Sequence, residues 1–494
     1  MPEGDILATC KELYERGFPL KTITAFDERE QTGNFKIMYL FSNPEEHIFQ
    51  TPTICVQETF PSLTPIIHQA SIHERKIASL FGIVPIGHPN LRSLILHEQW
   101  PQNLFPLRKD FAWNERPSPA RGEFTFRHVQ GEGIYEIPVG PVHAGIIEPG
   151  HFRFSVAGEE ILHLEARLGY SHKGSEKLFE HLALKDKLRL SERVSGDSSF
   201  SHSLALCQAF EELGSIPVPI RARYIRVIFC ELERLANHFG DIGAIMLDTG
   251  FNFGGSHGAR LREVVMQLND FLIGSRFLRG VNTIGGVQKD ISNGCLESVR
   301  QTLLSVRKDF SEVMAVALRN SSLIERLRHT GSLDYTIAKD HGVVGVAAKA
   351  LGFAYDARKD HPYAAYDHFS IPIPSYHSGD VYARFRVRID EVYSSFDILQ
   401  KALSDISSGP CIGNDLSRLK LPSNSYAVGI VEGWRGDIIY VVATDGDGSI
   451  CRVDVRDPSF INWTVLGHAG KGNMVPDFPL INKSFNLSYS GNDV

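Results

Sequence analysis

Cysteine is scarce and scattered in this 494-residue sequence. There are seven, at Cys10, Cys55, Cys207, Cys230, Cys295, Cys411 and Cys451, and no two are closer than 23 positions. An odd, dispersed set is no disulfide framework. No Cys-x-x-Cys occurs, which excludes a zinc or iron–sulfur site built from local thiolate pairs. Long apolar runs are also missing. The best candidate, residues 342–355, is 14 residues long and contains Lys349, against the ~20 needed to span a bilayer. Nor is there a charge excess: 51 basic against 58 acidic residues leave a net charge of −7, so no global basic field suits nucleic acid. Neither Gly-x-Gly-x-x-Gly nor Gly-x-x-x-x-Gly-Lys appears, so the chain carries no nucleotide fingerprint of its own. The acidic start Met-Pro-Glu-Gly-Asp lacks the order of a secretory signal and predicts a cytoplasmic location.

The 43% apolar and 22% charged residues describe an ordinary globular protein. At about 100–200 residues per domain the length allows two to four domains. Residues 1–115 read as one unit. A helix begins near Ile6, two strand-like runs cover residues 35–41 and 53–57, and a helix-period pattern covers residues 64–81. Residues 116–132, within a stretch of mixed charge with Pro and Gly, read as a linker. From 133 to 494 the pattern predicts a hairpin at 152–167, then helices at 174–186, 190–213, 219–248, 258–277, 297–328 and 380–404. A meander of strands follows at 426–432, 437–442 and 450–455, with Arg435-Gly436 in its first turn. The fold class is therefore α+β: a small N-terminal α/β unit followed by a large, mainly helical bundle with small sheets at its ends.

Several segments concentrate polar chemistry. Gly140-Pro141-Val142-His143 and Glu148-Pro149-Gly150-His151-Phe152-Arg153 gather a carboxylate, two imidazoles and a guanidinium in one corner, groups able to relay protons if burial tunes them. Composition alone favours a plain polar surface turn. Residues 191–202 hold Ser195, Gly196, Asp197, Ser198 and His202. These are poor helix formers and predict a loop that enters and caps a helix. No Gly-x-Ser-x-Gly elbow supports a nucleophilic serine there. Arg435, between two strands, is either an anion clamp or a plain hairpin tip. Asp380 opens a helix. His238 lies on a helix whose charges fit simple i,i+3 and i,i+4 pairing.

Taken in order, these segments resemble a known family. Residues 133–490 are similar to the large subunit of membrane-bound [NiFe] hydrogenases of the formate-hydrogenlyase type, and more distantly to its relative in respiratory complex I. Gly-Pro-Val-His at 140–143, Glu-Pro-Gly-His-Phe-Arg at 148–153, His-Lys-Gly-Ser-Glu-Lys-Leu at 172–178, Glu-Leu-Glu-Arg-Leu at 231–235, Asp-His-Pro at 360–362, Arg-Ile-Asp-Glu-Val-Tyr at 388–393 and Glu-Gly-Trp-Arg-Gly at 432–436 carry the match. Residues 1–115 resemble the complex I subunit that packs beside that large subunit, through His-Glu-Arg-Lys-Ile-Ala-Ser-Leu-Phe-Gly-Ile at 73–83, Gly-His-Pro-Asn-Leu-Arg at 87–92 and Pro-Leu-Arg-Lys-Asp-Phe at 106–111.

The resemblance also marks a departure. The hydrogenases bind nickel and iron through two Cys-x-x-Cys motifs, and the matching positions here are Ser195, Ser198, Ser488 and Gly491. A serine hydroxyl stays protonated and hard where that centre needs soft thiolates, so no metal and no hydrogen chemistry is expected in this chain. In complex I the emptied pocket resembles the head of a quinone channel, built with a hairpin-loop histidine and a tyrosine. Those positions fall here on Glu148-Pro149 and Gly196. The resemblance implies a subunit of an NADH dehydrogenase (quinone)-like or hydrogenase-like complex, with NAD and quinone binding in the assembly. Its partners would be a small subunit bearing a [4Fe–4S] cluster, a ferredoxin-like subunit and antiporter-like membrane subunits. Within the chain, Glu148, matching the hydrogenase proton-gate glutamate, would accept protons with His143, His202 and Asp380. His151 and Arg435 would line a quinone or carrier pocket. The competing expectation is a redox-inert scaffold on the inner face of the cell membrane.

Overall fold

The computed structural model describes residues 3–145, 147–413 and 420–494. Its N-terminal unit is an antiparallel sheet of four strands, Leu20–Glu28, Asn34–Asn43, Ile48–Gln50 and Thr53–Val56, with helices Glu3–Glu15 and Ala70–Phe81. The long second strand is the hub. It pairs with the first from Leu40↔Thr22 to Asn34↔Glu28, with the fourth through Phe35↔Val56, and with the third through Asn43↔Ile48. Its unbroken apolar run, Ile37-Met38-Tyr39-Leu40-Phe41, suits a strand buried on both faces. Ile37, Tyr39 and Phe41 pack with Ile6, Cys10, Ile77 and Leu80. Met38 and Leu40 pack with Val428, Ile430, Ile439 and Val441 of the C-terminal meander.

The second face therefore joins the two units, and buried ion pairs reinforce the joint. Lys21 reaches Asp437 at 2.9 Å, and Lys76 reaches Glu176 at 2.7 Å and Asp454 at 3.2 Å. A register shift between Leu20 and Thr22 interrupts the strand at Lys21. Residues 116–132 are not a free tether. Ala120 N–H donates to Gln99 O at 2.7 Å, and Phe124 and Phe126 lie under the guanidinium groups of Arg167 and Arg153 at 4.4 and 4.5 Å.

The larger unit opens with a three-stranded antiparallel sheet, Ile134–Val139, His151–Ala157 and Glu160–Arg167. Long helices Ile220–Asp248, Asn252–Ile273, Asn293–Ala317 and Val381–Asp405 form the bundle. The meander, Tyr426–Gly433, Gly436–Thr444 and Ile450–Arg456, lies on helix Ser199–Leu213. That approach requires glycine at 429, where a Cβ would come within 1.9 Å of Ala205 O. The chain is thus α+β, as the sequence predicts.

The boundaries differ at caps and breaks that periodicity does not register. The predicted helix at 174–186 divides at Leu182-Ala183, and the one at 297–328 divides where Asn320 caps a new helix by accepting from Leu323 N. The predicted helix at 190–213 has its regular part from Ser199 onward. Strand Leu20–Glu28 escapes the sequence pattern, because Lys21, Thr22, Thr24 and Asp27 break any clean alternation. Among the described residues no helix is long and apolar enough to cross a membrane.

Candidate functional site

The meander's first hairpin ends in Trp434-Arg435, and its tip is pinned against helix Gly345–Lys349. A Cβ on Gly345 would meet Arg435 O at 1.9 Å. Arg435 closes as a fork on Asp197, Nη1 to Oδ1 at 2.7 Å and Nη2 to Oδ2 at 2.6 Å. This bidentate, charge-assisted arrangement fixes both partners. Its Nε donates to Asn486 O, and its guanidinium stacks 3.9 Å from the Trp434 ring. Burial alone would push the Asp197 carboxyl up, but the Arg435 fork holds it below the usual carboxylate range. Trp434 Nε1 and Asn237 Nδ2 donate to Asp197 O at 3.3 and 2.9 Å, fastening the serine-rich turn to helix Ile220–Asp248.

Around this pair lie Ser195, Ser198, Ser488 and Gly491, the four positions that the resemblance matches to the hydrogenase thiolates. Ser195 Oγ donates to Ser488 Oγ at 2.9 Å and lies 3.1 Å from Asp197 Oδ1. Ser198 Oγ also faces Asp197 Oδ1, at 3.5 Å. Ser488 accepts from Gly491 N at 3.0 Å and so caps the short helix Tyr489–Asn492. At Gly491 a Cβ would lie 2.6 Å from Asp457 Cγ and 2.8 Å from both its oxygens. Asp457 thus fills the space that a side chain at 491 would need.

Asp457 in turn accepts from Ser459 N at 2.7 Å and pairs with His202 Nε2 at 3.0 Å. An ionised carboxylate only accepts, so Nε2 carries the hydrogen. Nδ1 lies 3.0 Å from the Tyr440 hydroxyl, within hydrogen-bond distance. Burial pushes the Asp457 carboxyl up, and the hydrogen bond from His202 brings it back below its ordinary value.

The hairpin loop flanks the outer side of the same C-terminal helix. Glu148 is exposed and accepts from Ser490 N at 3.0 Å. His143 Nε2 donates to Gly150 O at 2.7 Å. His151 is buried, donates Nδ1–H to Gly140 O at 3.2 Å, leaves Nε2 without a partner, and burial lowers its pKa. The structure therefore brings Glu148, Ser195, Ser488, Gly491, His202 and Arg435 around one helix.

Asp380 is placed elsewhere. It caps helix Val381–Asp405, accepting from Ala383 N and Ser378 Oγ at 2.8 Å and from His329 N at 2.9 Å, and none of these partners belongs to the pocket. Asp457 and Asn486 join the site without a sequence signal that marks them for it. Asp457-Pro458-Ser459 is a readable helix start, but only as a cap. Asp197 lies within the polar turn at 191–202, yet its Arg435 partner is 238 positions away, so nothing local reveals the pairing.

These residues do not fit a nickel–iron centre. Three hydroxyls engaged with each other and with Asp197, and a glycine with no room for a side chain, offer none of the soft thiolates that such a centre needs. Among the described residues, no cluster of three or more His, Cys, Asp or Glu could hold a metal ion. Two surface clefts of about 520 and 620 Å³ flank the N-terminal sheet and the meander edge, and neither is lined by Glu148, Ser195, Asp197 or Arg435.

Fold and pocket together point to a large subunit of the complex I and hydrogenase type. Comparison with known proteins agrees. Residues 1–117 match the respiratory-chain NADH dehydrogenase 30 Kd subunit, and residues 248–427 and 416–493 match the 49 Kd subunit. The chain is 33% identical over 489 residues to formate hydrogenlyase subunit 5 of Escherichia coli strain K12, covering 97% of this chain and 85% of that protein. It is 34% identical over 492 residues to hydrogenase-4 component G of the same strain, covering 97% and 84%. It is 30% identical over 457 residues to the fused C/D polypeptide of the NADH-quinone oxidoreductase of Phocaeicola vulgatus, covering 88% of each. A chain of the membrane-bound sulfane sulfur reductase, an archaeal respiratory membrane complex, superimposes with a TM-score of 0.69 at 28% identity, over 74% of this chain and all of that one. The chain belongs to the complex I and hydrogenase large-subunit family, with the 30 Kd and 49 Kd types fused in one polypeptide.

Proposed function

We propose that this protein is the fused large subunit of a membrane-attached oxidoreductase complex that couples electron transfer to proton or cation movement without a nickel–iron centre. Electrons would end on a [4Fe–4S] cluster in a small partner subunit. A ferredoxin-like subunit and antiporter-like membrane subunits would complete the assembly, and the chain would lie peripherally on the inner face of the cell membrane. One observation carries the reading: Ser195–Ser488 and Asp197–Arg435 form a hydrogen-bonded polar set beside the ionisable groups Glu148 and His202.

In this reading Glu148 exchanges protons at the exposed rim, with His143 behind it in the same loop. His202 and Asp457 steady the floor. Arg435 is the cation of the pocket, and any quinone or carrier headgroup would compete with Asp197 for its fork. His151 contributes a buried imidazole nitrogen, Nε2, that has no hydrogen-bond partner. The engaged Arg435 fork favours a second reading, a redox-inert scaffold whose pocket has been sealed by polar packing. Glu148→Gln separates the two. It keeps the shape and an acceptor for Ser490 N–H. Coupled turnover of the assembled complex should fall by roughly 10²-fold or more if the group moves protons, whereas the scaffold reading requires no change.

A further inference from the structure

The base of the Arg435 hairpin holds two carboxylates directly opposite each other. Glu432 and Asp437 are paired in the antiparallel ladder, so their side chains share one face about 4.5–5.5 Å apart at Cβ. Both are buried, at 2% and 0% exposure. Like charges so placed do not both ionise freely. Their surroundings differ. Asp437 Oδ2 meets Lys21 and Arg456, each at 2.9 Å. Glu432 meets Lys349 at 3.4 Å, but Lys349 is already shared with Asp356 and Glu391 at 2.7 Å each. Arg358 is likewise committed, to Asp356 and Glu231. Glu432 Oε2 accepts from Ala357 N at 3.0 Å.

Unpartnered polar atoms gather on the Asp437 side. Asp437 Oδ1, the Tyr355 hydroxyl and Arg456 Nε and Nη1 meet no hydrogen-bond partner, although all are buried. Lys21 Nζ, paired with Asp437, lies 3.3 Å over the Tyr355 ring, and Arg456 pairs with the same carboxylate, so the side chains of Asp437, Arg456 and Tyr355 adjoin Lys21 at the seam with the N-terminal unit. Donors and acceptors in one buried place, with no protein partner, are what internal water satisfies.

We propose that Glu432 is a proton-exchanging carboxyl, linked by water held among Asp437, Arg456 and Tyr355 to the seam between the two units. The inference rests on the reading of the Arg435 pocket as a coupling site and gives that site an internal proton partner. In the exchange the Glu432 O–H bond breaks as a water O–H bond forms, and the electron pair stays on the carboxylate, facing Lys349. Asp437 accepts no proton, because Lys21 and Arg456 hold it ionised and well below the ordinary carboxylate range against the upward push of burial. Burial, Asp356 and Asp437 push Glu432 up to about 7, so it can change state near neutral pH. Arg435 lies three residues from Glu432 and two from Asp437, and movement of its pairing with Asp197 would reach the hairpin base directly.

The test is infrared difference spectroscopy of the assembled complex across neutral pH, with carboxyl-¹³C glutamate. A protonated-carboxyl band that shifts with the label should fade as pH rises through neutrality. Glu432→Gln should remove that component and Glu233→Gln should leave it, while Asp437→Asn should move its midpoint to lower pH. A band unchanged in Glu432→Gln overturns the proposal. If that variant does not assemble, a wild-type complex with no titrating glutamate band overturns it equally. An intact band together with wild-type turnover in Glu148→Gln would overturn the coupling reading while leaving the proton-exchanging carboxyl in place.

Discussion

Gly491, which the resemblance matches to a hydrogenase thiolate, shows how tightly a single position is fixed by its surroundings. Its neighbour Asp457 leaves no space for a β-carbon, and Asp457 cannot retreat without releasing His202 and Ser459 N. Gly491→Cys should therefore destabilise the chain by about 1–3 kcal/mol, the usual scale for overpacking a filled site, and should recruit no nickel. A lower thermal midpoint checks the first expectation. A variant as stable as wild type would show that Asp457 moves aside. The serines at 195, 198 and 488 stand out in the sequence because the cysteine motifs of the family that the chain resembles have fixed spacing. The refilling of the pocket is not, because it depends on Asp197 meeting Arg435 and on Asp457 meeting residue 491, contacts set only by the fold. The exposure of Glu148 is equally hidden: its apolar neighbours suggest a dry site, yet the loop lies on the outer side of the C-terminal helix.

At the level of elements, caps decide what several polar residues do. Asp380 satisfies Ala383 N and His329 N at the start of helix Val381–Asp405. Asp380→Ala should cost roughly 1–2 kcal/mol, the range of a lost N-cap, and leave turnover of the assembled complex unchanged. A fall in turnover without a fall in thermal midpoint would instead make Asp380 a group of the reaction. The meander and the first hairpin are readable because turn residues and apolar alternation agree there. Strand Leu20–Glu28 is not, because it buries a lysine and threonines against a partner sheet far along the chain. The predicted helix at 174–186 fails for a related reason: period alone does not register a break such as the extended Leu182-Ala183.

Over the whole molecule, buried ionisable groups set the response to pH. Burial holds His73 and His341 at about 3 and His361 at about 4, against 6.5 for the free side chain. The unfolded chain takes up these protons first, so each group lowers stability as pH falls from about 6.5, by roughly 1.4 kcal/mol per pH unit. Glu233 and Glu432 act in the opposite sense. Burial raises both from 4.5 to about 7, so the folded chain holds their protons and stability declines as pH rises between those values. The two sets partly offset each other between about pH 4.5 and 6.5, and below that only the histidines and the ion-paired carboxylates remain. We expect a nearly level thermal midpoint from neutrality to about pH 5 and a steep loss below, with His73→Phe softening the acid limb. A midpoint falling uniformly from neutrality would show that the acidic pair does not hold its protons.

The central claim is that a hydrogenase-type fold here performs its role without a nickel–iron centre. The most direct measurement is the metal content of the assembled complex purified from cells supplied with nickel. The account predicts nickel at background, with iron present only in proportion to the partner's iron–sulfur clusters. About one nickel per chain would contradict it.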